Sequence, residues 1–408
     1  MSGLKTSAGS AVSTRLIEKA ETWSAHNYHP LPVVLTRGEG VWVYDADGNR
    51  FMDMLSAYSA LNQGHRHPRI IAALKAQADR ITLTSRAFHT ELFGPFCETV
   101  CHLARMEMVL LMNSGAEAVE TAIKTARMWG YRTKGVARDR AEIIVCENNF
   151  HGRTTTIVGM SSEAQYRDDF GPYDGGFRII PYDDLGALEK AITPNTVAFI
   201  VEPIQGEAGI LVPSDGYLKS AAEICSKNRV LLTLDEIQTG LGRTGRMFCM
   251  DYEEVRPDLL IVGKALGGGL MPVSGVIGMK ETLGLYRPGD HGSTFGGNPL
   301  ACAVGIAALD VIVSEKLVER SAEMGSYFMK RIRDLHSPRV KDVRGRGLLI
   351  GVEIKTEHGT ARPYCEKLMA LGILAKETHG QVIRFAPPLV IDREQADWAL
   401  ERIAKVLA

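Results

Sequence analysis

The sequence predicts an α/β fold: a mostly parallel central sheet covered by helices on both faces, with a smaller α+β domain at the C-terminal end. Three observations carry this prediction. Short, continuously apolar runs alternate with longer amphipathic segments through the middle of the chain, as in strands buried on both faces. The 408 residues are enough for two or three units and a sizeable core without disulfides or metals. After about residue 307 the pattern changes to long amphipathic helices and two well-separated apolar runs.

In chain order, the stretch MSGLKTSAGSAVSTRL is serine-rich with no acid before Glu18, a composition shared with transit peptides. Ser13-Thr14 at the head of an amphipathic segment, 15–23, reads equally well as a capped helix. The turn-rich stretch 37–49, with GEG and DADGN, suggests a small hairpin. Strands are expected at 108–112, 142–146, 197–201, 230–234 and 259–262, with helices such as 116–129 and 216–228 between them. Residues 259–279 hold one charge, Lys264, but also six glycines and Pro272. That is a buried strand followed by a loop, not a membrane helix. VRGRGLLIGVEI and QVIRFAPPLVI then read as strands, and a last helix starts at Arg393. The expected division is an N-terminal segment 1–58, a large domain 59–306 and a small α+β domain 307–408.

Composition narrows the function. The 47 basic and 48 acidic residues leave a net charge of −1, which argues against a nucleic-acid binder relying on bulk charge. Seven cysteines, with no C-x-x-C pair, do not form a disulfide framework. Cys97, Cys101 and His102 lie at helical spacing but lack a second pair of zinc-type ligands, so no metal is expected and a reducing cytoplasm fits best. Glycine is in excess, 41 of 408, and 14 of these fall in residues 240–297. A local excess marks backbone that bends closely around something.

Ligands of an open parallel sheet bind outside the carboxyl ends of its strands. Those ends here carry Asn113-Ser114-Gly115-Ala116, Glu147 to Arg153, Glu202 to Glu207, Asp235 to Gln238, and Lys264. Ser114-Gly115-Ala116 opens a helix, so its N–H groups suit a phosphate; a plain serine cap satisfies the same pattern. Gly240 to Gly245 matches G-x-G-x-x-G, but it lies beyond Asp235 and opens no clear helix, so a dinucleotide site is disfavoured against a flexible loop. Lys264 ends an apolar strand; desolvation would lower its pKa and make it a nucleophilic amine, whereas a lysine snorkelling to solvent fits too. Asp235, on another strand end, could pair with a protonated pyridine nitrogen or simply cap a helix. Amine, acid and phosphate-binding helix together are what pyridoxal phosphate requires. His291 to Asn298 is a second glycine-loosened loop that could touch phosphate.

The motifs LLTLDEIQTGLGRTG (231–245), IVGKALGGGLMPVSGV (261–276) and HGSTFGGNPLAC (291–302) resemble the class III pyridoxal-phosphate aminotransferases, of fold type I. NYHPLP (27–32), SAYSALNQGHRHP (56–68), TLTSRAF (82–88), EPIQGEAG (202–209) and IRFAPPLVI (383–391) are similar to the branch that transfers the δ-amino group of ornithine. The similarity runs from about Asn27 to the C-terminus.

The resemblance implies roles for individual residues. Lys264 would hold the cofactor as a Schiff base and shuttle the proton, and Asp235 would keep the pyridine nitrogen protonated. Gln238 would lie near the ring hydroxyl and Phe150 would stack on the ring. Ser114, Gly115 and Ala116 would bind phosphate, with Ser293 beside them and Thr294 reaching the phosphate of the partner subunit, so a homodimer would be the active unit. Tyr28 and Arg153 would take ornithine's α-carboxylate, with Tyr58 beside them. Arg384 would take the carboxylate of 2-oxoglutarate, masked by Glu207 while ornithine reacts. Surface ion pairs for the arginines and core packing for Tyr28 are the plainer readings of the same residues. One departure is His151, where animal members carry tryptophan; it bears on ring stacking or substrate affinity. Another ω-aminotransferase, acting on N-acetylornithine, 4-aminobutyrate or lysine, is the alternative, and Tyr28 and Glu207 weigh against it.

Overall fold

The computed structural model describes residues 11–408. The serine-rich start, residues 1–10, lies outside the described residues. The first described helix, Ala11–Trp23, already contains Ser13 and Thr14, so neither caps it. Ser13 is instead buried and donates to Asp47 Oδ2 at 3.1 Å, tying the helix to the turn that follows β2.

Three short strands come next: β1 (Leu35–Glu39), β2 (Trp42–Asp45) and β3 (Arg50–Asp53), antiparallel in sequence. The large sheet contains β4 (Met108–Met112), β5 (Glu142–Cys146), β6 (Phe177–Ile180), β7 (Thr196–Val201), β8 (Leu231–Asp235), β9 (Leu259–Val262) and β10 (Ser274–Gly278). Its order is β4-β10-β9-β8-β7-β5-β6. β10 is antiparallel to both neighbours and every other pair is parallel. All strands except β10 therefore run the same way and deliver their carboxyl ends to one edge.

The apolar runs are continuous because both faces are covered. Within β5, Ile144 and Cys146 face one core and Ile143 and Val145 the other, beneath the helix Gly115–Trp129. The expectation of a strand followed by a loop at 259–279 needs correcting. A 3-10 turn at Lys264–Gly267 leads into β10, which fills the gap between β4 and β9.

The C-terminal part holds a four-stranded antiparallel sheet: β11 (Val340–Arg346), β12 (Leu349–Ile354), β14 (Lys376–Thr378) and β15 (Val382–Phe385), in the order β11-β12-β15-β14. β13 (Ile373–Leu374) leaves it and pairs in parallel with β3. The expected hairpin at 37–49 is thus part of a four-stranded sheet shared between the two ends of the chain. The helix Pro299–Ser314 also runs unbroken through the expected boundary at 306/307.

The glycine motif 240–245 acts as a structural joint. Its backbone turns at Gly242 and Gly245 (φ +89° and +85°), and a Cβ on Gly245 would come within 2.9 Å of Ala322 Cα. Arg243 between them is wholly buried. It donates to the carbonyls of Leu348 (3.0 Å) and Pro387 (2.6 Å) and to Asn62 Oδ1 (2.6 Å), joining three regions of the chain. The segment is packed, not a flexible loop. Burial lowers the guanidinium pKa to about 9, with the Asp53 charge opposing that shift. Replacing Arg243 with leucine leaves these acceptors buried without donors, at about 1–3 kcal/mol each where water cannot enter. A fall in stability of about 3 kcal/mol or more is expected, read as a lower thermal or urea midpoint.

Candidate active site

The common strand edge forms a cleft of about 220 Å³ lined by Gly115, Ala116, Phe150, His151, Glu202, Glu207, Asp235, Gln238 and Lys264, among others. Each arrives on a strand end or on the turn that follows it. Ser114 caps the helix Gly115–Trp129: its hydroxyl accepts from Glu117 N at 3.2 Å, and the Glu117 carboxylate accepts from Ser114 N at 2.7 Å. This box occupies the serine amide. The Gly115 and Ala116 N–H groups, at the first two helical positions, have no intrahelical acceptor. They face the cleft at the positive end of the helix dipole.

Lys264 lies just beyond β9, with left-handed backbone (φ +46°). Burial lowers its pKa, and the charges of Asp235 and Glu207 only partly restore it. The shift favours the neutral, nucleophilic form of the amine. Asp235, buried at the end of β8, receives a 2.7 Å hydrogen bond from His151 Nδ1 and a 3.1 Å bond from Ile237 N. Burial pulls the His151 pKa down, but the hydrogen bond and charge of Asp235 outweigh this and hold it above its ordinary value. Phe150 packs edge-on to Tyr166, with ring centroids 6.0 Å apart.

Arg384, in β15, is wholly buried. It donates to Glu207 Oε1 (2.9 Å), the Gly206 carbonyl (2.9 Å) and Thr378 Oγ1 (3.1 Å). Burial raises the Glu207 pKa, but the charge and hydrogen bond of Arg384 hold the carboxyl below its usual value. Gln238 Nε2 donates to the same Glu207 oxygen at 3.1 Å. Gln238 comes so close that a Cβ on Gly206 would lie 1.6 Å from its Oε1, so a side chain at 206 would displace the Gln238 amide.

Four consecutive residues, Ser56 to Ser59, adopt left-handed backbone (φ +52°, +46°, +61° and +74°). Such a turn of L-residues costs roughly 1–2 kcal/mol per residue and persists only where its surroundings impose it. It brings the Tyr58 ring to 5.5 Å from the Arg384 guanidinium carbon.

Other expected site residues lie outside the cleft. Arg153 is exposed and stacks 3.6 Å over Tyr166. Tyr28 is 75% exposed. Ser293 accepts from Asn113 Nδ2 at 2.8 Å, next to Ser114, whereas Thr294 is exposed. Glu202 was not among the expected site residues, but it lines the cleft, accepts from Phe150 N at 2.9 Å and is pushed up to about 7 by burial.

The donor set of the cleft fits pyridoxal phosphate. Gln238 Oε1 and His151 Nε2 are buried without partners, and amine, carboxylate and helix terminus converge on one space. The Aminotransferase class-III family model matches residues 23–407. The chain is a class-III aminotransferase. An ornithine aminotransferase from Geobacillus sp. (strain WCH70) is 64% identical over 97% of the chain and 99% of its own length. The solved ornithine aminotransferase of Toxoplasma gondii, described with pyridoxal phosphate at partial occupancy in its active site, superposes with a TM-score of 0.96. It is 47% identical, covering 97% of this chain and 94% of its own. The acetylornithine aminotransferase of Elizabethkingia anophelis is also 47% identical, with a TM-score of 0.88, covering 97% and 98%. The aminotransferase's cofactor is pyridoxal phosphate. No described helix is long and apolar enough to cross a membrane.

Behind the cleft, Glu236 is buried and pushed up to about 7, although it accepts from Met250 N (2.8 Å) and Thr239 Oγ1 (2.5 Å). Its folded pKa exceeds the ordinary 4.5, so the folded state holds this proton more tightly. The resulting stability is complete below about pH 4.5 and is lost as pH rises through about 7. The aminotransferase of Glu236→Gln should therefore show a flatter decline of melting temperature between about pH 5 and about pH 7 than the parent.

Proposed function

We propose that this aminotransferase moves the δ-amino group of L-ornithine to 2-oxoglutarate. The products are L-glutamate and glutamate 5-semialdehyde, which cyclises to pyrroline-5-carboxylate. The Glu207–Arg384 pair, with its guanidinium buried and its carboxylate lining the same cleft as Lys264, carries the proposal. Ornithine reacts at a carbon far from its carboxylate, whereas 2-oxoglutarate reacts at a carbon bonded to one. A single site serving both needs a cation that is hidden for the first and bared for the second, and a carboxylate in contact with an arginine supplies that. The 64% identity to an ornithine aminotransferase supports the same reading.

When bound, pyridoxal phosphate supplies an aldehyde that condenses with amines and a ring that withdraws electrons from the adjacent C–H bond. Lys264 would hold that aldehyde at rest. Once released, its Nζ would take the proton from Cδ of ornithine, a role a lowered pKa suits. Asp235, held in place by His151, would pair with the ring nitrogen, and the unpartnered Gln238 Oε1 would accept from the ring hydroxyl. Gly115 and Ala116 would bind phosphate through their amides, next to Ser114 and Ser293, and Phe150 would cover the ring face. Tyr28 and Arg153 would take the α-carboxylate of ornithine, with Tyr58 beside Arg384.

The reading includes a homodimer. Trp23, Phe88 and Phe295 are 87%, 68% and 55% exposed, large apolar side chains that a second copy could cover, and exposed Thr294 adjoins Phe295 in sequence. The seven free thiols, six of them buried, suit a cytoplasmic enzyme.

The likeness to an acetylornithine aminotransferase favours N-acetylornithine as the competing donor. Purified holoenzyme assayed with 2-oxoglutarate against ornithine, N-acetylornithine, 4-aminobutyrate and lysine decides between them. The proposal expects the highest kcat/KM with ornithine and trapping of pyrroline-5-carboxylate; a preference for N-acetylornithine overturns it.

A further inference from the structure

We propose that Asp53 and His65 are positioning residues for the amine-donor side of the site: they hold the left-handed turn Ser56–Ser59 and through it set Tyr58 against Arg384. The sequence of this turn, SAYS, contains no glycine, so nothing intrinsic to it favours positive φ. The hydroxyls of Ser56 and Ser59 are buried without partners and do not brace it. What braces it is the buried carboxylate at the end of β3. Asp53 Oδ1 accepts from the backbone N–H groups of Leu55 (2.8 Å) and Ser56 (2.9 Å), fixing the chain where it enters the turn.

The other oxygen, Oδ2, is fixed in turn by His65 Nε2 at 2.8 Å. His65 has little room to move. Its backbone exchanges two hydrogen bonds with Gly40, at 2.8 and 3.0 Å, and its ring packs so tightly on Gly38 that a Cβ there would lie 2.8 Å from Nδ1. A line of contacts therefore runs from the β1–β2 connection through His65 and Asp53 to the turn. It ends at Tyr58, whose ring lies 5.5 Å from the guanidinium carbon of Arg384. Tyr58 limits where that guanidinium can go when Glu207 releases it, and it bounds the space left for the donor's chain. A turn held against its own preference transmits small changes in its tether directly to that ring.

This inference rests on the reading of Tyr58, Glu207 and Arg384 as substrate groups, and its test separates the two. The holoenzyme and its Asp53→Ala, Asp53→Asn, His65→Ala and Tyr58→Ala variants are assayed with whichever amine the parent uses best. The double variants Asp53→Ala/Tyr58→Ala and His65→Ala/Tyr58→Ala are assayed beside them. Asp53→Ala and His65→Ala should lower kcat/KM for the amine about 10- to 100-fold, as sub-ångström misplacement does. Asp53→Asn, which keeps an oxygen for both amides, should recover most of the loss. Each double variant should be no worse than Tyr58→Ala alone, because the tether acts through Tyr58. Hydrogen exchange at the Leu55 and Ser56 amides should quicken in Asp53→Ala. If Asp53→Ala does not fold, His65→Ala and its double variant give the same comparison. Losses that add in the double variants, an inert Tyr58→Ala or an inert His65→Ala overturn the proposal. Failure of the parent to use ornithine contradicts the substrate reading instead, and the cycle then runs on the preferred amine.

Discussion

Replacing Lys264 with alanine is expected to abolish the visible absorbance that the holoenzyme owes to its lysine-bound cofactor and to reduce turnover by about 10⁴-fold or more. Two functions are lost together. The amine is the only one among the residues named around the cleft, and burial lowers its pKa, which favours the form that accepts a proton. Lys264→Arg retains a cation but not a nucleophile, and should be nearly as inactive. Added small amines should restore part of the proton transfer in Lys264→Ala without restoring the absorbance. An alanine variant that keeps both the colour and the turnover would remove Lys264 from the chemistry altogether.

Replacing Glu207 with alanine should reverse the preference between the two half-reactions. Arg384 would keep its bonds to the Gly206 carbonyl and Thr378 but lose its masking carboxylate. A bared, buried guanidinium binds any α-carboxylate, so glutamate and 2-oxoglutarate should bind better and ornithine should react less well. A charge-assisted hydrogen bond contributes about 1.5–3 kcal/mol, so a change of about 10- to 100-fold in each kcat/KM is expected. Single-turnover measurements with each substrate separate the two effects. Arg384→Leu should spare the ornithine half-reaction relative to the 2-oxoglutarate one, and it should also lower stability, because Glu207 then keeps only the Gln238 hydrogen bond and loses its cation.

The sequence discloses the parts of this molecule whose causes are local. The runs at 108–112, 142–146 and 259–262 are strands at those same residues because a strand buried on both faces must be apolar throughout. Residues at their carboxyl ends, including Asp235 and Lys264, could be placed on one edge without coordinates. β10 is different. Its sequence, SGVIG, is short and holds two glycines, with Pro272 two residues before it, and only the gap between β4 and β9 makes it a strand. β6, four residues among loops, is equally silent. In the site, the His151–Asp235 bond joins residues 84 positions apart, so the sequence could mark His151 as unusual but not say what it touches. The left-handed turn at Ser56–Ser59 is invisible to any propensity because it opposes the preferences of its own residues. The Ser114–Glu117 box is the reverse case: S-x-x-E is legible in the sequence, and it takes the serine amide out of the phosphate cradle.

The central claim concerns which nitrogen leaves the donor, and isotopic labelling tests it directly. Holoenzyme is incubated with 2-oxoglutarate and ornithine carrying ¹⁵N at either the δ or the α position, and the glutamate formed is analysed by mass. The account predicts that the label reaches glutamate from the δ position alone. Label arriving from the α position, or none from either, would contradict it.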